Sequence, residues 1–395
     1  MADKNQITQF NASRVVADTS VLCYAPWLSM NFDQTGQITV CCFNRTFVLG
    51  SYPQQRLSDI WQGKNANKLR QAMQQSQFNL GCGACEKMIA ERNFESVLIK
   101  HFDDYYDFLP PKADKSLLDK FFNTQQLPQP TVFEFELSNT CNLECIMCGG
   151  KWSSAIRSNR EKLPALPNYY DSNFVQELKP FLPGLKRANF LGGEPFLIAV
   201  YQEIWECIID INPDIDVAIT SNGTVLNSRI KAIIERLPKL RLTLSIDSLK
   251  KETWQAIRRK GKFETLKENM DYFMATGKLV SFSVCPMVQN RMEIPEIVGF
   301  CEQHNLDIYF NVVYEPLGGR VKGIHENGQF NLVDGDFEGE LLPETSLQSL
   351  EPQALESLIE YYKSFSFKGR LQVQLNSLIK QLEMWKQTKE QTYVK

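Results

Sequence analysis

The sequence predicts an α/β protein built on a parallel sheet, and three observations predict it. Six short apolar runs, at 133–137, 188–191, 217–220, 240–246, 280–284 and 308–313, alternate with stretches of helical periodicity. Proline-bearing breaks at Pro110-Pro111 and Leu127-Pro-Gln-Pro130 separate these runs from a cysteine-rich segment upstream. Downstream, Leu375, Leu378, Ile379, Leu382 and Trp385 form one apolar stripe at helical spacing, which predicts a helical C-terminal tail packed on its own protein. A closed eight-strand barrel would need more strands, and a doubly wound sheet is the alternative arrangement of six.

Composition narrows the class. The chain has 395 residues, 43 Lys plus Arg against 46 Asp plus Glu, and 43% hydrophobic residues, which is the profile of a globular protein of more than one unit. A net charge of −3 offers no electrostatic support for a nucleic-acid or acidic-membrane partner. The first thirty residues hold no apolar run of signal-peptide length, and about eighteen consecutive apolar residues occur nowhere, so the expected location is cytoplasmic. In that reducing compartment eleven cysteines are not expected to be a disulfide framework, and their spacing decides their use. The units read as 1–100, a connector at 101–130, the strand-rich 131–325, and 326–395, which opens on an acidic loop carrying Asp334, Asp336, Glu338, Glu340 and Glu344.

The first strand runs directly into Cys141-x3-Cys145-x2-Cys148. Three thiolates from one loop suit soft metals, and they can hold three irons of a 4Fe-4S cube while leaving the fourth open to a ligand. Zinc with a fourth ligand from elsewhere also fits the spacing. Further on come Gly192-Gly193-Glu194-Pro195, then Thr220-Ser221-Asn222-Gly223, Leu244-Ser245-Ile-Asp247-Ser248 and Ala256-Ile-Arg258. Taken in this order across roughly residues 130–320, the motifs resemble the radical S-adenosylmethionine (radical SAM) enzymes.

That resemblance implies a partial six-stranded barrel, with Cys141, Cys145 and Cys148 on a 4Fe-4S cluster whose open iron chelates S-adenosylmethionine. It implies that Gly192, Gly193 and Glu194, followed by Pro195, hold the methionine amino group, and that Ser221, Asn222, Ser245, Asp247 and Arg258 surround the ribose and carboxylate. Glycines there let backbone approach a ligand closely. The implied chemistry is reductive cleavage to methionine and a 5′-deoxyadenosyl radical that takes a hydrogen atom from a substrate, with an electron donor such as flavodoxin or ferredoxin.

Upstream lie Cys23-Tyr-Ala-Pro-Trp27, Gly36, Cys41-Cys42, Leu57-Ser-Asp-Ile-Trp61 and Cys82-x2-Cys85. A hairpin around Gln34-Thr-Gly36 would bring Cys23 towards Cys41, and Cys82 with Cys85 could close a four-thiolate cage. On spacing alone zinc and iron–sulfur stand even. The segment resembles the Twitch/SPASM auxiliary-cluster domains of radical SAM enzymes, although it precedes the barrel and lacks the further cysteines of a two-cluster SPASM domain. The resemblance implies one auxiliary 4Fe-4S cluster on Cys23, Cys41, Cys82 and Cys85. Cys42, adjacent to Cys41 and so pointing the other way on a regular strand, is expected to pack, as are Cys207 and Cys301.

Period-two alternation predicts the barrel lining. Glu134, Glu136 and Ser138 oppose Phe133 and Phe135; Ser281, Ser283 and Cys285 oppose Phe282 and Val284; Tyr309, Asn311 and Glu315 oppose Ile308 and Phe310. Glu134, Glu136, Asn311 and Glu315 are therefore substrate-contact candidates, with ion pairing to Arg or Lys an equal alternative for the carboxylates. An inward Cys285 thiol is a candidate hydrogen-atom donor, with a small core residue as the blander alternative that the position favours. The resemblance favours a ribosomally made precursor peptide as substrate, undergoing epimerisation, cross-linking or backbone rearrangement with a leader-peptide recognition protein as partner. A small-molecule dehydrogenase or rearranging enzyme and a non-enzymatic electron carrier are the alternatives.

Overall fold

The computed structural model describes residues 2–16, 19–94, 97–108, 129–313, 321–324, 330–332 and 345–393. Its main sheet joins β1 (Ser29–Phe32), β2 (Gln37–Thr39), β3 (Gly50–Ser51), β4 (Val132–Phe135), β5 (Arg187–Phe190), β6 (Asp216–Ser221), β7 (Leu240–Ser245), β8 (Leu279–Val284) and β9 (Asp307–Phe310). The spatial order is β3-β2-β1-β4-β5-β6-β7-β8-β9. From β4 to β9 every pairing is parallel and every neighbour is the next strand in sequence. A doubly wound sheet reverses direction at a switch point. This one does not, so right-handed crossovers lay the connecting helices on one face, as in a partial TIM-like barrel. The six strands match the six apolar runs, with no end shifted by more than three residues.

The helix-side face carries the aromatic alternates. Phe133 and Phe135 on β4 and Phe190 on β5 pack with Phe174 of the helix Ser172–Leu178 and with Tyr201 and Trp205 of the helix Ala199–Ile211. Phe32 on β1 stacks on Phe135 at 5.2 Å between centroids, extending the same layer. Each such side chain contributes about 1.5–3 kcal/mol by leaving water. With the odd-numbered residues of β4 committed to this layer, Glu134 and Glu136 must face the lumen.

The cysteine-rich segment is joined to the barrel through the sheet itself. β1 pairs parallel with β4, setting Asn31 beside Glu134, and turns back antiparallel into β2. The turn forms because Asp33 Oδ1 accepts from the Thr35 and Gln37 amides at 2.8 and 3.1 Å. Gly36, at φ +79°, is required there, since a Cβ would meet the Tyr52 carbonyl at 2.6 Å. Within the stretch read as a connector, 101–108 is packed: Phe102, Tyr105 and Tyr106 are buried, and Asp103 pairs with Arg14 at 2.6 Å. Residues 109–128 lie outside the described residues.

A ribbon of β10 (Val321–Ile324) and β11 (Phe330–Leu332) falls partly in the stretch read as an acidic loop; Asp334, Asp336, Glu338, Glu340 and Glu344 lie outside the described residues. At the C-terminus, the helix Gly369–Tyr393 buries Leu375, Leu378, Ile379, Leu382 and Trp385, as the stripe predicts. It lies antiparallel to the helix Pro352–Lys363, joined by Lys363–Glu383 and Lys386–Glu356 pairs. Among the described residues no helix is long and apolar enough to cross a membrane.

Candidate active site and metal centres

The first site forms where β4 to β8 end at their C-terminal edges, the edge that carries function in barrels of this kind. The loop after β4 is fastened along its length. Ser154 accepts from the Cys141 amide at 3.1 Å, Ser153 donates to the Leu143 carbonyl at 2.7 Å, and the Glu144 and Ile146 amides donate to the carbonyls of Arg259 and Ile257. Burial pushes the Cys145 thiol up to about 12 and the Cys148 thiol further, and each is raised again by the charge of a neighbouring loop cysteine. Bound to a metal such thiols ionise, so a cation at this loop would relieve both effects.

Around the loop the structure gathers the remaining predicted residues. Glu194, wholly buried, accepts from Ser221 Oγ at 2.8 Å and from the Asn222 and Phe196 amides at 2.7 and 3.1 Å. Burial pushes it up to about 7 despite those three donors. Asn222 Nδ2 in turn reaches Cys141 Sγ at 3.9 Å and Asn142 Oδ1 at 3.0 Å. Pro195 opens the short turn that follows. Gly192 and Gly193 let this segment lie against the thiol loop, since a Cβ on Gly193 would stand 2.2 Å from the Thr140 carbonyl oxygen. Opposite, Arg258 is buried with Nη2 2.8 Å from Asp247 Oδ2 and Nη1 4.0 Å from Cys145 Sγ. Desolvation works against the guanidinium charge, but Asp247, Cys145 and Cys285 hold it above its ordinary value. Ser245 lies in register with Ser283 on the neighbouring strand.

Cys285 follows β8. Its amide donates to Asp247 Oδ1 at 2.8 Å, and burial raises its thiol well above the ordinary value, with Asp247, Cys145 and Cys148 adding to the rise. Asn290, fully buried, bridges the Asp247 and Cys285 carbonyls at 2.7 and 3.0 Å. No periodicity or motif in the sequence marks Asn290.

The second site draws Cys23, Cys41, Cys82 and Cys85 around one cavity walled by Leu22, Val40, Leu69, Met73, Phe78, Ile99 and Phe102. Burial pushes Cys82 up to about 11, Cys85 to about 12 and Cys41 further, and raises Cys23 well above its ordinary value. Four thiols in an otherwise apolar wall are a donor set for a soft metal centre. Among the described residues no three His, Cys, Asp or Glu side chains form a single-ion site; the thiols surround a cavity. Cys42 does not line it. Its amide donates to Glu134 Oε2 at 3.0 Å, on the barrel side. Cys301 is a buried core thiol and Cys207 packs half-buried against the core.

Between the sites runs the polar face of the sheet. Asn31, Glu134 and Asn189 lie side by side across β1, β4 and β5. Thr243 and Ser281 hydroxyls meet at 2.7 Å, and Asn311 Nδ2 donates to Ser283 Oγ at 2.7 Å. Glu134 is buried, which pushes its carboxyl up to about 7, opposed by the Cys42 amide. Glu136 is not free for a substrate: Arg45 forks onto its two oxygens at 2.7 and 2.8 Å. That partner, 91 residues away, leaves no local signal in the sequence. Glu315 lies outside the described residues.

A singly wound parallel sheet with a three-thiol loop at its C-terminal edge, together with a four-thiol cavity in the N-terminal unit, offers two candidate soft-metal donor sets. The chain matches the radical SAM superfamily over residues 135–301 and an iron–sulfur cluster-binding domain of the SPASM type over 23–86. The barrel is thus similar to a radical SAM domain, which implies a 4Fe-4S cluster with S-adenosylmethionine, and the N-terminal unit to an auxiliary iron–sulfur domain, which implies a second cluster. Curated relatives include a GTP 3′,8-cyclase of Chlorobaculum tepidum, 29% identical over 44% of this chain and 51% of that protein. Another, from Sulfurimonas denitrificans, is 30% identical over 32% of this chain and 40% of its own length. The chain thus spans about half or less of these two relatives. Among solved structures, Streptococcus suis SuiB bound to S-adenosylmethionine is 15% identical, with a TM-score of 0.42, over 75% of this chain and 62% of that one. The protein anSMEcpe with bound AdoMet is 18% identical, with a TM-score of 0.41, over 60% and 59%.

Proposed function

We propose that this protein reductively cleaves S-adenosylmethionine and directs the resulting radical at a peptide, a ribosomally made precursor. Residues 131–325 act as the catalytic barrel and 1–100 as a Twitch-like auxiliary domain, with 101–130 connecting them and 326–395 as the C-terminal extension. Cys141, Cys145 and Cys148 hold the first cluster; Cys23, Cys41, Cys82 and Cys85 hold the second. When bound, the first cluster and S-adenosylmethionine supply a 5′-deoxyadenosyl radical, and that chemistry belongs to the cofactor. The chain's own work is positioning. The Gly192–Glu194 segment, fixed through Ser221 and Asn222, lies against the thiol loop where the methionine amino group is to be held. Arg258, kept charged by Asp247, offers its second edge towards Cys145 and a carboxylate there. Cys285, tied to Asp247, is a thiol from which hydrogen could return to a substrate radical. An electron donor of the flavodoxin or ferredoxin type and a leader-peptide recognition protein complete the reading, in the cytoplasm.

One observation carries the peptide reading. The polar face of the described lumen is built of hydroxyls and amides, namely Asn31, Asn189, Thr243, Ser281, Ser283 and Asn311, with the Glu134 carboxylate among them, while its arginines are occupied: Arg45 by Glu136, Arg187 by Asp216 and Arg258 by Asp247. Amides and hydroxyls suit a peptide backbone; a triphosphate, the substrate named for the curated relatives, would compete with carboxylates for every one of those cations. The test is to incubate reconstituted protein, reductant and S-adenosylmethionine with GTP and, separately, with short peptides encoded beside its gene. Deoxyadenosine accompanied by a change in peptide mass, stereochemistry or connectivity is expected. Consumption of GTP with no peptide changed would overturn the reading.

A further inference from the structure

Residues 41–45 touch both thiol sites. Cys41 lines the N-terminal cavity, and Asn44 Nδ2 donates to the Leu80 carbonyl at 2.7 Å while reaching Cys82 Sγ at 3.4 Å. On the barrel side, the Cys42 amide binds Glu134, and Arg45 binds both oxygens of Glu136. The same guanidinium lies 4.8 Å from the centre of the Trp152 ring, four residues beyond Cys148. Lys151 lies 5.1 Å from that ring, and its carbonyl accepts from Gln34 of the β1–β2 turn at 3.0 Å. A guanidinium that is both forked onto a carboxylate and stacked on an indole has little freedom to adjust. Movement of the 41–45 turn is therefore passed to residues 149–152 rather than absorbed.

We propose that Arg45 is a positioning residue that conveys the state of the N-terminal thiol site to the loop of the first cluster. A cluster ligand at Cys41 fixes the turn; Arg45, seated on Glu136, fixes Trp152 and the chain leaving Cys148. With the N-terminal site empty the turn is looser, the 149–153 segment opens more often, and S-adenosylmethionine binds less tightly, so filling the second site favours cofactor binding at the first. Coupling of this kind is reciprocal.

The proposal rests on the two-cluster reading, and its test separates the two. Reconstituted wild type, Arg45→Ala, Arg45→Lys, Trp152→Leu and Cys23→Ala are compared for iron content, hydrogen exchange at 149–153, and the paramagnetic resonance change of the reduced protein on titrating S-adenosylmethionine. Cys23 lies outside the turn, so its effect must travel through the bound centre. Arg45→Ala should keep all its iron, exchange about tenfold faster at 149–153 and need several-fold more S-adenosylmethionine. Arg45→Lys, which keeps the charge and loses the fork, should fall between. Cys23→Ala should lose about half the iron and reproduce the faster exchange. Full iron in Cys23→Ala would sink the two-cluster reading; loss of half the iron with a wild-type loop would sink only the coupling. Should Arg45→Ala fail to fold, Trp152→Leu decides, because it keeps the Arg45–Glu136 pair, and wild-type exchange there overturns the proposal.

Discussion

The two thiol sites use the same donor atom and differ in how the chain delivers it. In the barrel, three thiols come from eight residues of one loop, and their surroundings are charged: Arg258 and Asp247 on one side, Glu194 on the other. In the N-terminal unit, four thiols come from three segments between Cys23 and Cys85, and the walls are apolar. A loop can present its thiols as soon as it is made and leaves a face open to a polar ligand. A set gathered from distant segments exists only once Leu69, Met73, Phe78 and Phe102 have packed, and it closes as it forms.

Removing one thiol from each site should have unequal effects. Cys145→Ala should cost the first cluster and lower 5′-deoxyadenosine formation by about a thousandfold or more, whereas Cys82→Ala should cost a similar share of iron yet stay within about tenfold of wild type in deoxyadenosine while losing substrate product. Cys42→Ala should keep the iron of both. Iron analysis and chromatography of the nucleoside check all three. Equal loss of deoxyadenosine in both site variants would mean that the second site is part of the first reaction step and not a separate, closed centre.

Charge is the next difference to test. Arg258→Ala would leave Asp247 buried without its partner and should destabilise the cluster-free protein by about 3–5 kcal/mol in urea denaturation. Asp247→Asn in the same chain should recover part of that loss. Backbone space gives a smaller contrast. Gly193→Ala sets a Cβ against the backbone of Asn139 and Thr140, at 2.7 and 2.2 Å, and should cost about 1–3 kcal/mol. Gly83, between the two cysteines of the second site, has nothing within 4 Å of a Cβ, so Gly83→Ala should be neutral or stabilising by up to about 1 kcal/mol.

The same contrast sets what could be read from sequence. The Cys141–Cys148 loop, Gly192–Pro195 and the six strands are local, and period-two alternation was enough to turn Glu134 towards the lumen and Phe135 away from it. The four N-terminal cysteines were legible only through resemblance, because nothing in their spacing distinguishes a cluster from zinc. Three features escaped: the parallel pairing of β1 with β4 across a hundred residues, the identity of Arg45 as the cation that pairs with Glu136, and the Asn290 bridge between Asp247 and Cys285. Each joins residues whose meeting is fixed by tertiary packing, and a lone Arg or Asn in a turn carries no periodic mark.

Glu134 and Glu136 repeat the comparison on a single strand, one carboxylate left between the sites and one closed off by Arg45. Burial raises Glu134 from 4.5 to about 7. The folded protein therefore binds a proton that the unfolded chain has released between those values, and stability falls as pH rises through that window. Below about pH 4.5 both states are protonated and the group is silent; above about pH 7 the full cost, on the order of 1–3 kcal/mol, is present. Glu134→Gln keeps the shape and removes the proton. In urea denaturation of cluster-free protein, the variant should gain on wild type between pH 5 and pH 8, with the gap opening as pH rises. A gap that stays constant would mean that the Cys42 amide and Asn189 already hold Glu134 ionised, making it a fixed negative charge beside the substrate path instead of a group that exchanges a proton near neutrality.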